Sequence, residues 1–333
     1  MQNSLFPDLD DPASGAGIAA ATPAPALVEV ADALPGRLRF GTSSWNFPGW
    51  AGLVWDREYP EATLSRFGLP AYASHPLLRT VSLDRGFYRP LDATLFGEYA
   101  AQVPDHFRFM VKAPSQVTDP LRRDDAGRGQ QLNEDFLNPA VARQRFMEPA
   151  LEGLGEKMGA MVFQISPLPG ALLAQLPALI ERLGAMLAAL PRVTDVAPDA
   201  VVAVEVRNPQ WLTPQFAAVL AEHGATYCLG LQAKMPPIAD QLPVLRALWP
   251  GPLVCRWTLH ARHGPFGYEN ARRQYLPFNR LMDPDLDTRT ALARVIAGTV
   301  GAGQNAWVAL GNKAEGSAPL SIVELARTVR NLL

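Results

Sequence analysis

Val201-Val202-Ala203-Val204-Glu205-Val206-Arg207-Asn208-Pro209-Gln210-Trp211 is the stretch on which the fold class turns. Its first six residues form a β-prone run, and the residues that follow are polar. An amphipathic stretch, Pro214–His223, comes next, and then a second β-prone run, Thr226–Leu231. Strand, helix and strand in that order imply parallel strands joined by a crossover helix.

The alternation extends in both directions. The remaining β-prone runs are Leu38–Ser43, Thr80–Asp84, Phe107–Lys112, Ala160–Gln164, Leu253–Leu259 and Ala306–Leu310. Candidate helices lie between them at Ala93–Val103, Ala140–Lys157, Ala171–Ala189 and Thr288–Val300, and Ser321–Leu332 closes the chain. Roughly eight strand–helix units is the number of an α/β TIM-type (β/α)8 barrel. An open doubly wound sheet, which usually needs fewer, is the alternative. The predicted organisation is a flexible Ala/Pro-rich tail over 1–36 and a single barrel domain over 37–333.

Composition agrees with that reading. Of 333 residues, 48% are hydrophobic and 19% charged, which supplies a large core and excludes a disordered chain. The net charge of −2 gives no global field toward nucleic acid or membranes, so any such contact needs a local patch. Cys228 and Cys255 sit far apart in apolar runs and read as buried free thiols, which favours a reducing compartment. No apolar run reaches bilayer length, so no membrane partner is expected. The start Met1-Gln2-Asn3-Ser4 lacks the pattern of a secretory signal, and the cytoplasm is the expected location.

A barrel carries its functional groups where strands end. Here those ends are polar: Thr42-Ser43-Ser44-Trp45-Asn46 after the first, Asp84-Arg85-Gly86-Phe87-Tyr88-Arg89 after the second, Lys112, then Gln164, then Glu205 with Arg207. On the seventh strand Arg256, Thr258 and His260 share one face by alternation, and Asn312 and Lys313 end the eighth. Glu205 is the candidate general base, with Lys112 holding its charge or polarising a substrate oxygen. His260 joins them as the third candidate catalytic residue. A structural ion pair between Lys112 and Glu205, and a core role for His260, are the alternatives. Trp45 reads as a pocket wall and Trp50 as core packing. Asp84, Tyr88, Gln164, Arg207, Arg256 and Asn312 complete the candidate binding set.

Asn312-Lys313-Ala314-Glu315-Gly316-Ser317-Ala318-Pro319 runs into the last helix. Gly316 permits close backbone approach, Ser317 can cap, and free N–H groups there favour an anion; a plain capped helix is the alternative. Arg122, Arg123 and Arg128, with Arg262, Arg272 and Arg273, add positive charge to two mouth loops, diluted by Asp124, Asp125 and Glu269. Walker, G-x-G-x-x-G, H-E-x-x-H and G-x-S-x-G motifs are absent. No cofactor and no metal are expected; a divalent metal held by Asp84, Glu205 and His260 is the weaker alternative.

From about Arg37 to the C-terminus the chain resembles the YecE-like family, known as domain of unknown function 72. The resemblance rests on Gly41-Thr42-Ser43-Ser44-Trp45, Phe87-Tyr88-Arg89-Pro90, Phe107-Arg108-Phe109-Met110-Val111-Lys112-Ala113, Val204 to Trp211, Arg256 and the Asn312…Gly316…Ala318 loop, in that order. It implies a TIM barrel with a pocket and no established reaction. The chain departs from the family at Ser82 and Asp84, where Glu and Asn are usual, and at Thr118-Asp119, where Thr-His is usual. Thr258 stands where the family has a His, with His260 two residues on.

Gln2-Asn3-Ser4-Leu5-Phe6 resembles the short peptide by which bacterial replication and repair proteins dock on the sliding clamp, with Gln2, Leu5 and Phe6 as contacts; a tail without function is the alternative. Three readings follow. The first is an enzyme acting on an anionic, phosphorylated or nucleotide-like substrate by acid–base or hydrolytic chemistry. The second is a clamp-recruited protein with a nucleic-acid partner, and the third a ligand-binding module without turnover.

Overall fold

The computed structural model describes residues 17–124 and 128–333. Its strands are β1 (Leu38–Ser43), β2 (Leu78–Leu83), β3 (Arg108–Lys112), β4 (Leu121–Arg123), β5 (Gly129–Leu132), β6 (Met158–Gln164), β7 (Val201–Glu205), β8 (Thr226–Leu231), β9 (Leu253–Trp257) and β10 (Ala306–Leu310). Eight of them, all but β4 and β5, pair in parallel in the order β1-β2-β3-β6-β7-β8-β9-β10. The circle closes where β1 pairs with β10, from Leu38 opposite Ala306 to Thr42 opposite Leu310. The open sheet is thereby excluded, and the fold is the (β/α)8 barrel.

Local chemistry explains the elements. Asp92 accepts from Leu95 N at 2.9 Å and starts the helix Ala93–Ala101. Thr213 does the same for Pro214–Glu222, whose Pro214 occupies a position where a missing N–H costs nothing. Asp285 caps Leu286–Gly301 through Thr288 N. At Gly41 a side chain would overlap the Thr80 carbonyl oxygen of the neighbouring strand, so β1 and β2 pair closely only because that position is bare.

Several expectations change. The continuous helix over Ala140–Lys157 is instead Pro139–Ala142, a π-helical turn at Arg143–Met147, and Glu148–Leu154. Pro149 has no N–H to return to the preceding turn, and the wider turn absorbs the lost bond. The helix over Ala171–Ala189 breaks before Leu176-Pro177 for a related reason. The tail reading fails over 17–36. Pro25–Asp32 is helical, and Val30, Ala31 and Leu34 are buried in the main core, because their apolar side chains find the last helix, Ala318–Arg330, to pack on. A hairpin, β4–β5, stands in the loop after β3, where none was expected.

The core is double. The larger cluster fills the space between sheet and helices. A second cluster, separate from it, comes from strand residues alone: Met110, Ala160, Val162, Val201, Ala203, Cys228, Val254, Trp307 and Ala309. These mark the barrel interior. Both cysteines are buried and free. Among the described residues no helix is long and apolar enough to cross a membrane.

Candidate functional site

Strand alternation carries the interior cluster up to the mouth. Met110 points inward, so Lys112 does; Val162 leads to Gln164, Ala203 to Glu205, and Val254 to Arg256. The middle of the barrel is apolar, Arg39 and Arg108 meet Asp199 at the strand starts, and the last inward layer is charged. Gly230, opposite Arg256 in the sheet register, borders Glu205: a Cβ there would lie in ordinary contact, 3.5 Å from the Glu205 Cγ.

Arg256 is the hub. Its Nη1 donates to Glu205 Oε2 at 2.6 Å and to Gln164 Oε1 at 3.2 Å. Its Nη2 donates to both Asp84 oxygens, at 2.7 and 2.8 Å. Arg207 Nη2 donates to Gln164 Oε1 at 2.8 Å and makes an ion contact of 2.6 Å with Glu205 Oε1, without hydrogen-bond alignment. Ser82 Oγ adds a bond to Asp84 Oδ1 at 3.0 Å. Glu205 is fully buried and Arg256 nearly so. Burial raises the carboxyls of Asp84 and Glu205, but the facing guanidiniums outweigh it and hold both below their ordinary values. For Arg256 burial lowers the pKa, and Asp84 and Glu205 more than reverse it. The carboxylates are thus charged acceptors already engaged.

Lys112 differs. Its Nζ makes no hydrogen bond or ion pair with any described residue and lies 3.6 Å from the centroid of the Phe87 ring. Burial pushes its pKa down from 10.5 to about 8, Asp84 opposing and Arg256 assisting. Lys112, Arg207 and Arg256 face Asp84 and Glu205, so three cations meet two carboxylates and one positive charge is left over. Beside Asp84 a cavity of about 210 Å³ is lined by Trp45, Asn46, Ser82, Arg85 and Tyr99 among others. Trp45 is fixed in its wall by Nε1 donating to Leu64 O at 3.0 Å. Larger hollows, of about 430 and 650 Å³, open between outer helices beside the starts of β7, β8 and β9. That end of a barrel serves stability, so the smaller cavity, which shares Asp84 with the charged network, is the candidate site.

Other expected residues lie elsewhere. The ion pair proposed between Lys112 and Glu205 is replaced by pairs from Glu205 to Arg207 and Arg256. β9 stops at Trp257, and two residues beyond Thr258, His260 N donates to Lys313 O at 2.8 Å. His260 therefore leaves the Arg256 face; its Nδ1 accepts from Arg262 N and its Nε2 lies 3.9 Å from Asp285. Tyr88 is 86% exposed at the rim.

Asn312 is structural: its Oδ1 accepts from Trp50 Nε1 at 3.1 Å and from Ala318 N at 2.9 Å. Gly316 and Ser317 are buried beneath the segment around Arg280–Met282. Next to them the buried Glu315 accepts from Asp285 N and from Arg289 at 2.6 Å. The helix start expected to take an anion is covered, capped by Asn312 and flanked by a carboxylate, so it does not serve as an open anion site. The arginine loops are tempered as well: Arg123 pairs with Asp119, Arg128 with Asp124, Arg262 with Asp283, and Arg272 with Glu269.

The three residues named for a metal are not brought together: Arg256 takes both Asp84 oxygens, and His260 Nε2 lies 3.9 Å from Asp285. Among the described residues no group of three His, Cys, Asp or Glu is placed to hold an ion. Gln2, Leu5 and Phe6 lie outside the described residues. Sequence reasoning missed Ser82, which orients Asp84, and Phe87, which underlies Lys112; only the inward parity of position 82 in its strand signalled the first.

The comparisons fit this fold. A family model described as "Protein of unknown function DUF72" matches residues 39–332. The chain belongs to that family. A crystal structure of a DUF72 family protein from Enterococcus faecalis V583 is 17% identical, with a TM-score of 0.55 over 88% of this chain and 95% of that one. A DUF72 family protein from Thermotoga maritima MSB8 is 18% identical, with a TM-score of 0.54 over 87% and 98%. At these identities the likeness concerns the fold. Among curated proteins no match is found.

Proposed function

We propose that this DUF72 barrel is an enzyme that binds the anionic group of a phosphorylated or nucleotide-like substrate at Lys112 and uses that lysine as its proton donor. One observation carries the reading: Lys112 is a half-buried cation without a partner, beside two carboxylates that Arg256 and Arg207 already hold. A partly desolvated charge without a counter-ion favours an incoming anion. With a pKa of about 8 the amine is charged near neutrality and close to the proton affinity that efficient acid catalysis needs. It is therefore suited to neutralise charge developing on a substrate oxygen and to protonate a leaving group.

Glu205 takes a different part from the general base first assigned to it. With both oxygens against guanidiniums and a lowered pKa, it is a weak base. Its part is to hold Arg256 and Arg207 in place, while Gln164 joins the two guanidiniums. Arg207, linked to Gln164 and partly exposed, is the second candidate contact for the anion.

A thermal-shift panel of inorganic phosphate, sugar phosphates and nucleotides tests the reading. A ligand bound to the native state alone stabilises by about 2.7 kcal/mol at a hundred times its Kd. The expected result is a shift from phosphate-bearing compounds that Lys112→Met removes. A flat panel, or a shift that survives Lys112→Met, overturns it. Turnover of a bound phosphate ester separates an enzyme from a binding module. Recruitment to a sliding clamp through Gln2, Leu5 and Phe6 is a separate proposal, tested by clamp binding of the Leu5→Ala, Phe6→Ala double variant.

A further inference from the structure

We infer that the rim of the barrel mouth is a platform for single-stranded nucleic acid, built from repeated pairs of an aromatic ring and a lysine. Phe266 and Tyr268, in the segment after β9, are 89% and 52% exposed. Lys234, after β8, places its Nζ 5.1 Å from the centroid of Phe266, and Lys313, after β10, lies 4.0 Å from that of Tyr268. β8, β9 and β10 are consecutive in the barrel, so the two pairs form one stripe along the mouth. Across the opening, after β2, Phe87 and the 86% exposed Tyr88 stand edge to face, with Lys112 Nζ over Phe87. The exposed ring–lysine unit thus occurs twice, and a third exposed ring, Tyr88, stands opposite beside the partly buried Phe87–Lys112 pair.

The chemistry of the unit selects the ligand. Exposed rings carry a cost in water that a stacked planar group relieves. Neither Lys234 nor Lys313 enters an ion pair with a described residue, so each holds its charge beside a ring without being neutralised. A partner that brings planar faces and anions in alternation satisfies both, and single-stranded nucleic acid does so. An oligosaccharide supplies flat faces without charge for the lysines, and a duplex hides its base faces in the stack. The whole chain has a net charge of −2, so attraction of this kind is local to the rim. The inference deepens the phosphate reading of Lys112, which lies over Phe87 next to the exposed Tyr88.

The test is fluorescence anisotropy of the full chain with a labelled oligothymidylate of about 15 nucleotides, the upper range for one compact binding fold. Binding is expected, weakening as salt is raised from about 50 to 200 mM. Phe266→Ala with Tyr268→Ala should weaken it roughly tenfold or more at unchanged Tm, since both rings are exposed. Lys234→Gln with Lys313→Gln should flatten the salt dependence. Absence of binding at low salt, indifference to loss of both rings, or equal affinity for a duplex of the same length overturns the inference. Inorganic phosphate binding separates the two proposals: the ring variants should retain it and Lys112→Met should lose it. Oligonucleotide binding without phosphate binding sinks the Lys112 reading alone, and the reverse sinks the platform alone.

Discussion

Arg256 reaches Asp84 across the barrel mouth, with Nη2 within 2.8 Å of both carboxylate oxygens, although their strands are not neighbours. β10 and β1 stand between β9 and β2, so the contact spans the opening while Nη1 of the same guanidinium holds Glu205. One side chain thereby fixes two carboxylates from opposite sides of the site.

Replacing that hub leaves Glu205 buried with less than its full complement of charge. Removing one partner of a buried, hydrogen-bonded ion pair destabilises by about 3–5 kcal/mol, and Arg256→Met should fall in that range by urea unfolding. Arg256→Lys should not restore the stability, because a point charge cannot serve Asp84 and Glu205 together. A loss below about 1 kcal/mol for the methionine variant would contradict the network.

The pH dependence of anion binding should follow Lys112. The amine titrates at about 8 in the folded chain against an ordinary 10.5, so affinity for inorganic phosphate should fall as pH rises through 8. Between those values the folded state binds fewer protons than the unfolded one, so this group's contribution to unfolding free energy rises with pH. Lys112→Arg should hold phosphate without the fall, whereas Lys112→Met should bind weakly at every pH. Calorimetric titration at several pH values reads both.

Gly316 separates a structural glycine from a ligand-binding one. Its φ is +118°, and a Cβ there would lie 2.6 Å from the Arg280 carbonyl oxygen. Gly316→Ala should lower stability by about 1–3 kcal/mol or more, while the phosphate affinity of the folded fraction is unchanged. A variant of normal Tm with impaired phosphate binding would return the anion to this loop.

Arg289→Met offers a second probe of the same corner. Arg289 donates to the fully buried Glu315 at 2.6 Å, so an uncompensated carboxylate should cost about 3–5 kcal/mol. The phosphate response at Lys112 should again be preserved.

Strand parity made the barrel and most of its charged layer legible in advance. Lys112, Gln164, Glu205 and Arg256 each follow an inward apolar residue by two positions, and that period is local information. What escaped depended on distant segments. Nothing within Asn312–Pro319 tells that Arg280–Met282 covers it, or that Glu315 meets Arg289. Beyond Trp257, His260 is engaged by partners in other segments, its N–H by Lys313 O and its ring near Asp285. The Pro25–Asp32 helix is short and has no side-chain cap, so its stability comes from packing on Ala318–Arg330 and not from its own sequence.

If Lys112 is the partly desolvated cation that receives an anion, its own titration will report it. Lysine side-chain nitrogens would be followed by NMR from neutral to high pH, with and without inorganic phosphate, and Lys112 assigned by its loss in Lys112→Arg. The expected midpoint is about 8 without phosphate, with a clear rise when phosphate is present. A midpoint near the ordinary 10.5, unmoved by phosphate, would contradict it.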